Sequence, residues 1–325
     1  MTEWPAPSPC VADVDGIPMS ALVAEAANPR ATVVAIHGGA TTSAYYDCPG
    51  HPRSSFLRIG AALGFTVIAL DRPGFGASAP NAELMTDPDR RVELAYAAVN
   101  AILGSSPRGA GLFVLGHSNG SELTLRMAVA EPALLGIETS GTGRRNQPEA
   151  HAVLSRPKIS EIRRGVRELL WDATHLYPAD VIGGVQSPSP AYEGTVVANW
   201  PHRDFPALAA QVRVPVRFSL AEHEPFWENG PAGLADVAAM FTASPRVVVN
   251  EQRDSGHNLS LGFTAAAYHL GVLSFVEECI VDERLREEKT STDERLREDK
   301  TSTDERLRES SRTDRDYDEV DSEAS

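Results

Sequence analysis

Along the first 280 or so residues, short unbroken apolar runs alternate with stretches in which apolar positions recur every three or four residues. The unbroken runs are TVVAIHG at 32–38, FTVIALD at 65–71, GLFVLGH at 111–117 and LLGIETS at 134–140, followed later by PVRFSLAE at 215–222 and RVVVNEQ at 246–252. Runs this short and this rich in Val, Ile and Leu predict strands buried on both faces. The helical periodicity predicts helices over 54–63, 87–103, 121–130, 232–241 and 264–278. Strands alternating with helices imply a mostly parallel sheet covered on both sides. Ahead of the first run, VADVDGIPMSALVAE carries Asp15-Gly16 between two alternating segments, which predicts an opening hairpin. One stretch breaks the rhythm. Residues 142–213 are irregular and hold Trp171, Tyr177, Tyr192, Trp200 and Phe205. That is too long for a plain connection, so an inserted helical cap is expected there. The expected organisation is a core over 1–141 and 214–281, a cap over 142–213, and a separate tail over 282–325.

In an open parallel sheet, ligands meet the carboxyl ends of the strands, so the residues just beyond each run are the candidates for chemistry. They are His37-Gly38-Gly39-Ala40, Asp71-Arg72-Pro73-Gly74-Phe75-Gly76, Gly116-His117-Ser118-Asn119-Gly120, Ala221-Glu222-His223-Glu224-Pro225 and Ser255-Gly256-His257-Asn258. A serine, an acid and a histidine therefore reach one edge in that order. Gly116-x-Ser118-x-Gly120 has the pattern of a nucleophile elbow, a strand-to-helix turn so tight that the serine is strained and its neighbours must be small. The helix that follows aims its first N–H groups and its positive dipole end at the same spot, which suits an oxyanion. The Asn119 N–H is the nearest such donor. A second is expected from the loop after Ile36, with Gly39 the first choice and Ala40 the second.

With the HGG loop, the DRPGFG turn, GHSNG and the late SGH in register, residues 11–278 resemble the α/β-hydrolase superfamily. The resemblance implies an α/β-hydrolase fold, Ser118 as nucleophile and His257 as general base. Laid over the superfamily's usual acid position, AEHEP places Glu224 as the group that orients the histidine, with Glu222 as the alternative. Glutamate in place of the more common aspartate is a departure, and its extra methylene requires the histidine to sit further back. Asp71 and Arg72 are expected to tie their loop to the sheet, and His37 and His117 to hold loops by hydrogen bonds. Arg144, Arg145, Arg163, Arg164 and Arg167 are expected to form a solvated face, although they could meet an anionic acyl group. The implied activity is hydrolysis of a small-molecule ester or thioester through an acyl-enzyme, with neither metal nor organic cofactor required. Carbon–carbon bond hydrolysis, lyase or cofactor-free haloperoxidase-type chemistry, and a non-catalytic ligand-binding role, stay open on the same residues.

Composition narrows the picture. A net charge of −15 and the lack of a Lys/Arg cluster argue against nucleic acid. No apolar run is long enough to cross a membrane, and MTEWPAPSPC lacks the form of a secretion signal. Three widely spaced cysteines, Cys10, Cys48 and Cys279, predict neither a disulfide framework nor a zinc site, and with them a cytoplasmic location. From Asp282 the text repeats DERLREEKTST, DERLREDKTST and DERLRESSRTD, an eleven-residue period with 17 acids against 10 bases. One leucine per repeat (Leu285, Leu296, Leu307) cannot bury a helical seam, so a solvated tail is expected. The oligomeric state is not legible from these features.

Overall fold

In the computed structural model, residues 4–184, 186–286, 288, 289 and 292 are described. The chain falls into two units, Met1–Cys279 and Ile280–Ser325. In the second unit residues 280–286, 288, 289 and 292 are helical, and the remainder of the repeat tail lies outside the described residues.

The first unit is built on an eight-stranded sheet of order β1-β2-β4-β3-β5-β6-β7-β8. Strands β1 (Ser8–Val14) and β2 (Ile17–Ala24) form the predicted hairpin. Its turn residues Asp15 and Gly16 both have positive φ, 53° and 80°, the combination that a tight two-residue hairpin turn demands. β2 also pairs antiparallel with β4. From β3 (Thr32–Ile36) through β4 (Thr66–Leu70), β5 (Leu112–His117), β6 (Gly136–Ser140) and β7 (Val216–His223) to β8 (Val247–Gly256), every pairing is parallel. All five residues of β3, β4 and β6 are buried, as the unbroken apolar runs require. Each fully buried Val, Leu or Ile side chain contributes about 1.5–3 kcal/mol, so these central strands fix the platform on which the loops stand. β8 lies at the edge, and its polar residues Asn250–Arg253 discourage pairing with a further strand.

Helices α1 (Phe56–Ala62), α2 (Pro88–Leu103) and α3 (Gly120–Ala130) connect the first strands. α1 and α2 start where the sequence supplies caps: the Ser55 hydroxyl accepts from the Arg58 N–H, and the Asp87 carboxylate accepts from the Asp89 N–H. Between β6 and β7 the irregular stretch forms four short helices, α4 (Pro148–Leu154), α5 (Ile159–Leu170), α6 (Glu193–Asn199) and α7 (Phe205–Ala209). α4 packs on α5 through Gly165, where a side chain would press to 2.6 Å from a Val153 methyl. α8 (Gly230–Ala238) follows β7, and α9, residues 265–279, follows β8. Among the described residues no helix is long and apolar enough to cross a membrane.

Candidate active site

The elbow is set by steric demands on three sides. Ser118 has φ +50°, a left-handed conformation that a residue with a side chain rarely adopts. Its N–H donates to Ser140 O at 2.7 Å, which ties the turn to β6. A side chain at Gly116 would overlap Thr124 of α3 and come to 2.8 Å from Gly120 O. One at Gly120 would overlap Ile36 O and come to 2.5 Å from His37 O. The two glycines therefore let α3 descend onto β5 and the end of β3, and that close approach bends the chain so that Ser118 Oγ stands at the tip.

The other two groups arrive from the last two strands. β7 and β8 stay in register through Ala221↔Gln252 and then shift, so that His223 pairs with Gly256. The extra residues lie on β8, around Asp254, which takes φ +48°. This irregularity carries His257 to the sheet edge. His257 Nε2 lies 3.2 Å from Ser118 Oγ, and Nδ1 lies 2.8 and 3.0 Å from the two oxygens of Glu224. The longer reach of glutamate is absorbed by both of its oxygens facing one ring nitrogen. Glu224 is buried, and its Oε1 also accepts from the Phe226 N–H at 3.0 Å, which fixes the carboxylate. The Phe226 ring packs edge-on against the His257 ring, with 4.7 Å between centroids. Glu222 is placed elsewhere: it is exposed and accepts from the Asp254 N–H at 2.9 Å.

The loop after β3 separates the two candidate donors. The Ala40 N–H donates to Ser189 Oγ at 2.9 Å, so it is already committed. Among the described residues, neither the Gly39 nor the Asn119 N–H donates to a protein acceptor. Gly39 has to be glycine, because a side chain there would come to 2.8 Å from Asn119 Nδ2 and 3.1 Å from Glu193 Oε2.

Glu193 is the residue that sequence reasoning missed. It stands at the start of α6, is buried, and meets Arg72 Nη2 at 2.5 Å. Arg72 Nη2 also donates to Gly38 O at 2.8 Å, and Asn119 Nδ2 donates to Glu193 Oε2 at 3.3 Å. One buried ion pair thus ties together the loop after β3, the residue after Ser118 and the segment between β6 and β7. Asp71 and Arg72 hold their loop as expected: Asp71 accepts from Ser43 N–H at 2.6 Å and from Ser20 Oγ at 2.5 Å. His37 Nδ1 donates to Gly38 O at 2.8 Å while Nε2 accepts from the Arg72 N–H at 3.0 Å. Burial, helped by the Arg72 charge, holds its pKa well below the usual histidine value. His117 is also held low, by burial and then by the proximity of His257, and it stacks on Tyr45 at 4.8 Å.

Ser118 and His257 open into a cavity of about 690 Å³. One wall is α5, which contributes Ile162, Arg163, Val166, Arg167 and Leu170, and Trp171 follows. Asn258, next to His257, anchors this wall by donating from Nδ2 to Leu170 O at 2.7 Å. Arg144 and Arg145 do not face the cavity: they pair with Asp236, and Arg145 also with Glu228. Among the described residues, no cluster of His, Cys, Asp or Glu is arranged to hold a metal ion.

Residues 27–170 match the family model described as serine aminopeptidase, S33. No curated protein sequence matches the chain. Among solved structures, a membrane phospholipase A described as a bacterial virulence factor is 17% identical, with TM-score 0.61 over 84% of this chain and 87% of that one. A lipase in an open form is also 17% identical, with TM-score 0.61 over 85% and 99%. A proline iminopeptidase from Mycobacterium smegmatis is 16% identical, with TM-score 0.58 over 85% and 99%. At such identities the likeness is one of fold. That fold is the α/β-hydrolase fold.

Proposed function

We propose that the chain is a serine hydrolase that cleaves carboxylic esters or thioesters through an acyl-enzyme on Ser118. The observation that carries this reading is the continuous relay from Ser118 Oγ through His257 to Glu224, at 3.2 Å and 2.8 Å. In the proposed cycle His257 Nε2 takes the Ser118 proton as Oγ attacks the carbonyl carbon. The tetrahedral oxyanion is held by the N–H groups of Gly39 and Asn119. As the bond to the alcohol or thiol breaks, His257 returns the proton to the leaving group. Water, deprotonated by the same nitrogen, then attacks the acyl-enzyme and frees the acid and Ser118. Glu224 keeps the Nδ1 proton in place and supports the imidazolium that forms in both steps.

The likeness to a phospholipase A and a lipase supports ester chemistry, and the likeness to an iminopeptidase and an aminopeptidase model supports peptide chemistry. The charges in the cavity favour the ester. Arg163 and Arg167 line it, and both repel the ammonium group that an aminopeptidase substrate brings. Carbon–carbon bond hydrolysis uses the same relay, and substrate comparison separates it. The test is turnover of p-nitrophenyl esters by the native chain and by Ser118→Ala. The variant is expected to lose at least about 10⁴ in kcat, the scale seen when a triad group is removed. Ester turnover that survives in Ser118→Ala rejects the reading.

A further inference from the structure

α5 presents two adjacent stripes to the cavity. Ile162, Val166 and Leu170 recur every four residues, and Arg163 and Arg167 recur every four, one step round the helix. Positions four apart on a helix are neighbours, so the arginines are like charges side by side, an arrangement that weakens a helix. Among the described residues neither has an ion-pair partner. Of the acids nearby, Glu161 pairs with Lys158, Glu224 lies buried behind His257, and Glu168, exposed on the same helix, does not line the cavity. Arg58, Arg72, Arg91, Arg126, Arg144 and Arg145 of this unit pair with acids, and Arg164, which like Arg163 and Arg167 does not among the described residues, stands outside the cavity lining. In a chain of net charge −15, two unpaired arginines over the cavity that holds the nucleophile mark a place for negative charge. The wall is also fixed, through Asn258 at the end of α5 and Gly165 against α4.

Resting on the hydrolase reading above, we infer that the substrate is an anionic ester or thioester: apolar next to the carbonyl, along Ile162, Val166 and Leu170, and ending in a carboxylate or phosphate held by Arg163 and Arg167. The anion either terminates the acyl chain or belongs to the leaving group. Water is the sole co-reactant, and hydrolysis releases an acid and an alcohol or thiol.

Two matched pairs of substrates test this. Mono-p-nitrophenyl adipate against p-nitrophenyl hexanoate places a carboxylate on the acyl end. Hexanoyl-coenzyme A against the hexanoyl thioester of N-acetylcysteamine places phosphates on the leaving group. In at least one pair the native chain is expected to prefer the anion in kcat/KM by about tenfold or more, the worth of one charge-assisted hydrogen bond. R163Q/R167Q should abolish the preference, added salt should weaken it, and R163K/R167K should restore part of it. No preference in either pair, or a preference that R163Q/R167Q leaves intact, overturns the inference. Should no ester or thioester be turned over, the hydrolase reading has failed. The anion site is then tested by titrating Ser118→Ala with adipate and with hexanoate, using the fluorescence of Trp171 in the cavity wall. Tighter binding of adipate supports the site, and equal or weaker binding overturns it.

Discussion

At the scale of single residues, the site depends on which of two nearby carboxylates faces the histidine. Glu222 and Glu224 are two positions apart, so simple strand alternation would send both to the same side. They part because β7 ends at His223 and the chain turns, with Glu224 accepting from the Phe226 N–H. Glu224 is thereby buried against His257 Nδ1, and Glu222 caps the bend at Asp254. Glu224→Gln is therefore expected to cost on the order of 10⁴ in kcat, because the imidazolium loses its counter-charge. Glu222→Gln should cost less than about tenfold, since it removes only an exposed hydrogen bond. Parallel kinetics on one p-nitrophenyl ester checks both, and comparable losses would assign the orienting role elsewhere. That Ser118 and His257 would meet at one sheet edge was legible, because each sits in a short glycine-bounded motif directly beyond an apolar run. Glu193 was not legible. It lies 74 residues from the Asn119 it meets, within a segment that has no strand rhythm to place it.

At the scale of elements, the strands and the helices between them follow from periodicity, and their ends follow from caps. Asp87 and Ser55 cap α2 and α1 where those helices were expected to start. β8 runs further than its apolar pattern, to Gly256, because its pairing with β7 resumes after the shift near Asp254. Local hydrophobicity carries no record of that register shift. That the segment between β6 and β7 holds helices was legible, but the bounds of the four were not, for Pro148, Pro201 and Pro206 open new helical turns within it and its contacts are distant in sequence. The packing of α3 against β3 yields a test. Gly120→Ala places a methyl into the carbonyl oxygens of Ile36 and His37, atoms of the backbone that cannot swing aside. A loss of about 1–3 kcal/mol is expected from chemical denaturation, in line with overpacking in a closed space. An unchanged midpoint would mean that α3 and β3 are further apart than described.

At the scale of the whole molecule, burial without charge governs the response to acid. Burial pushes the His269 imidazole, in the core beside Phe56 and Tyr268, from 6.5 down to about 3, against a smaller upward pull from the Ser54 backbone. His37 and His117 shift in the same direction. In each case the unfolded chain binds the proton more readily than the folded one. Stability is therefore fully present above about pH 6.5 and falls as the pH drops towards 3, by up to about 1.4 kcal/mol per pH unit for each proton taken up on unfolding. Denaturant midpoints measured from pH 7.5 to 4.5 should fall steadily below 6.5. A flat profile over that range would contradict the burial of these rings.

Everything proposed about chemistry requires that Ser118 Oγ be more nucleophilic than an ordinary hydroxyl. The most direct measurement is mass spectrometry of the chain after brief exposure to a fluorophosphonate, followed by proteolysis and mapping of the adduct. The expected result is one phosphonyl group per molecule, carried by the peptide containing Ser118, with none on Ser118→Ala and strongly slowed labelling of His257→Ala. A native chain that stays unmodified, or one labelled on another residue, would contradict the assignment.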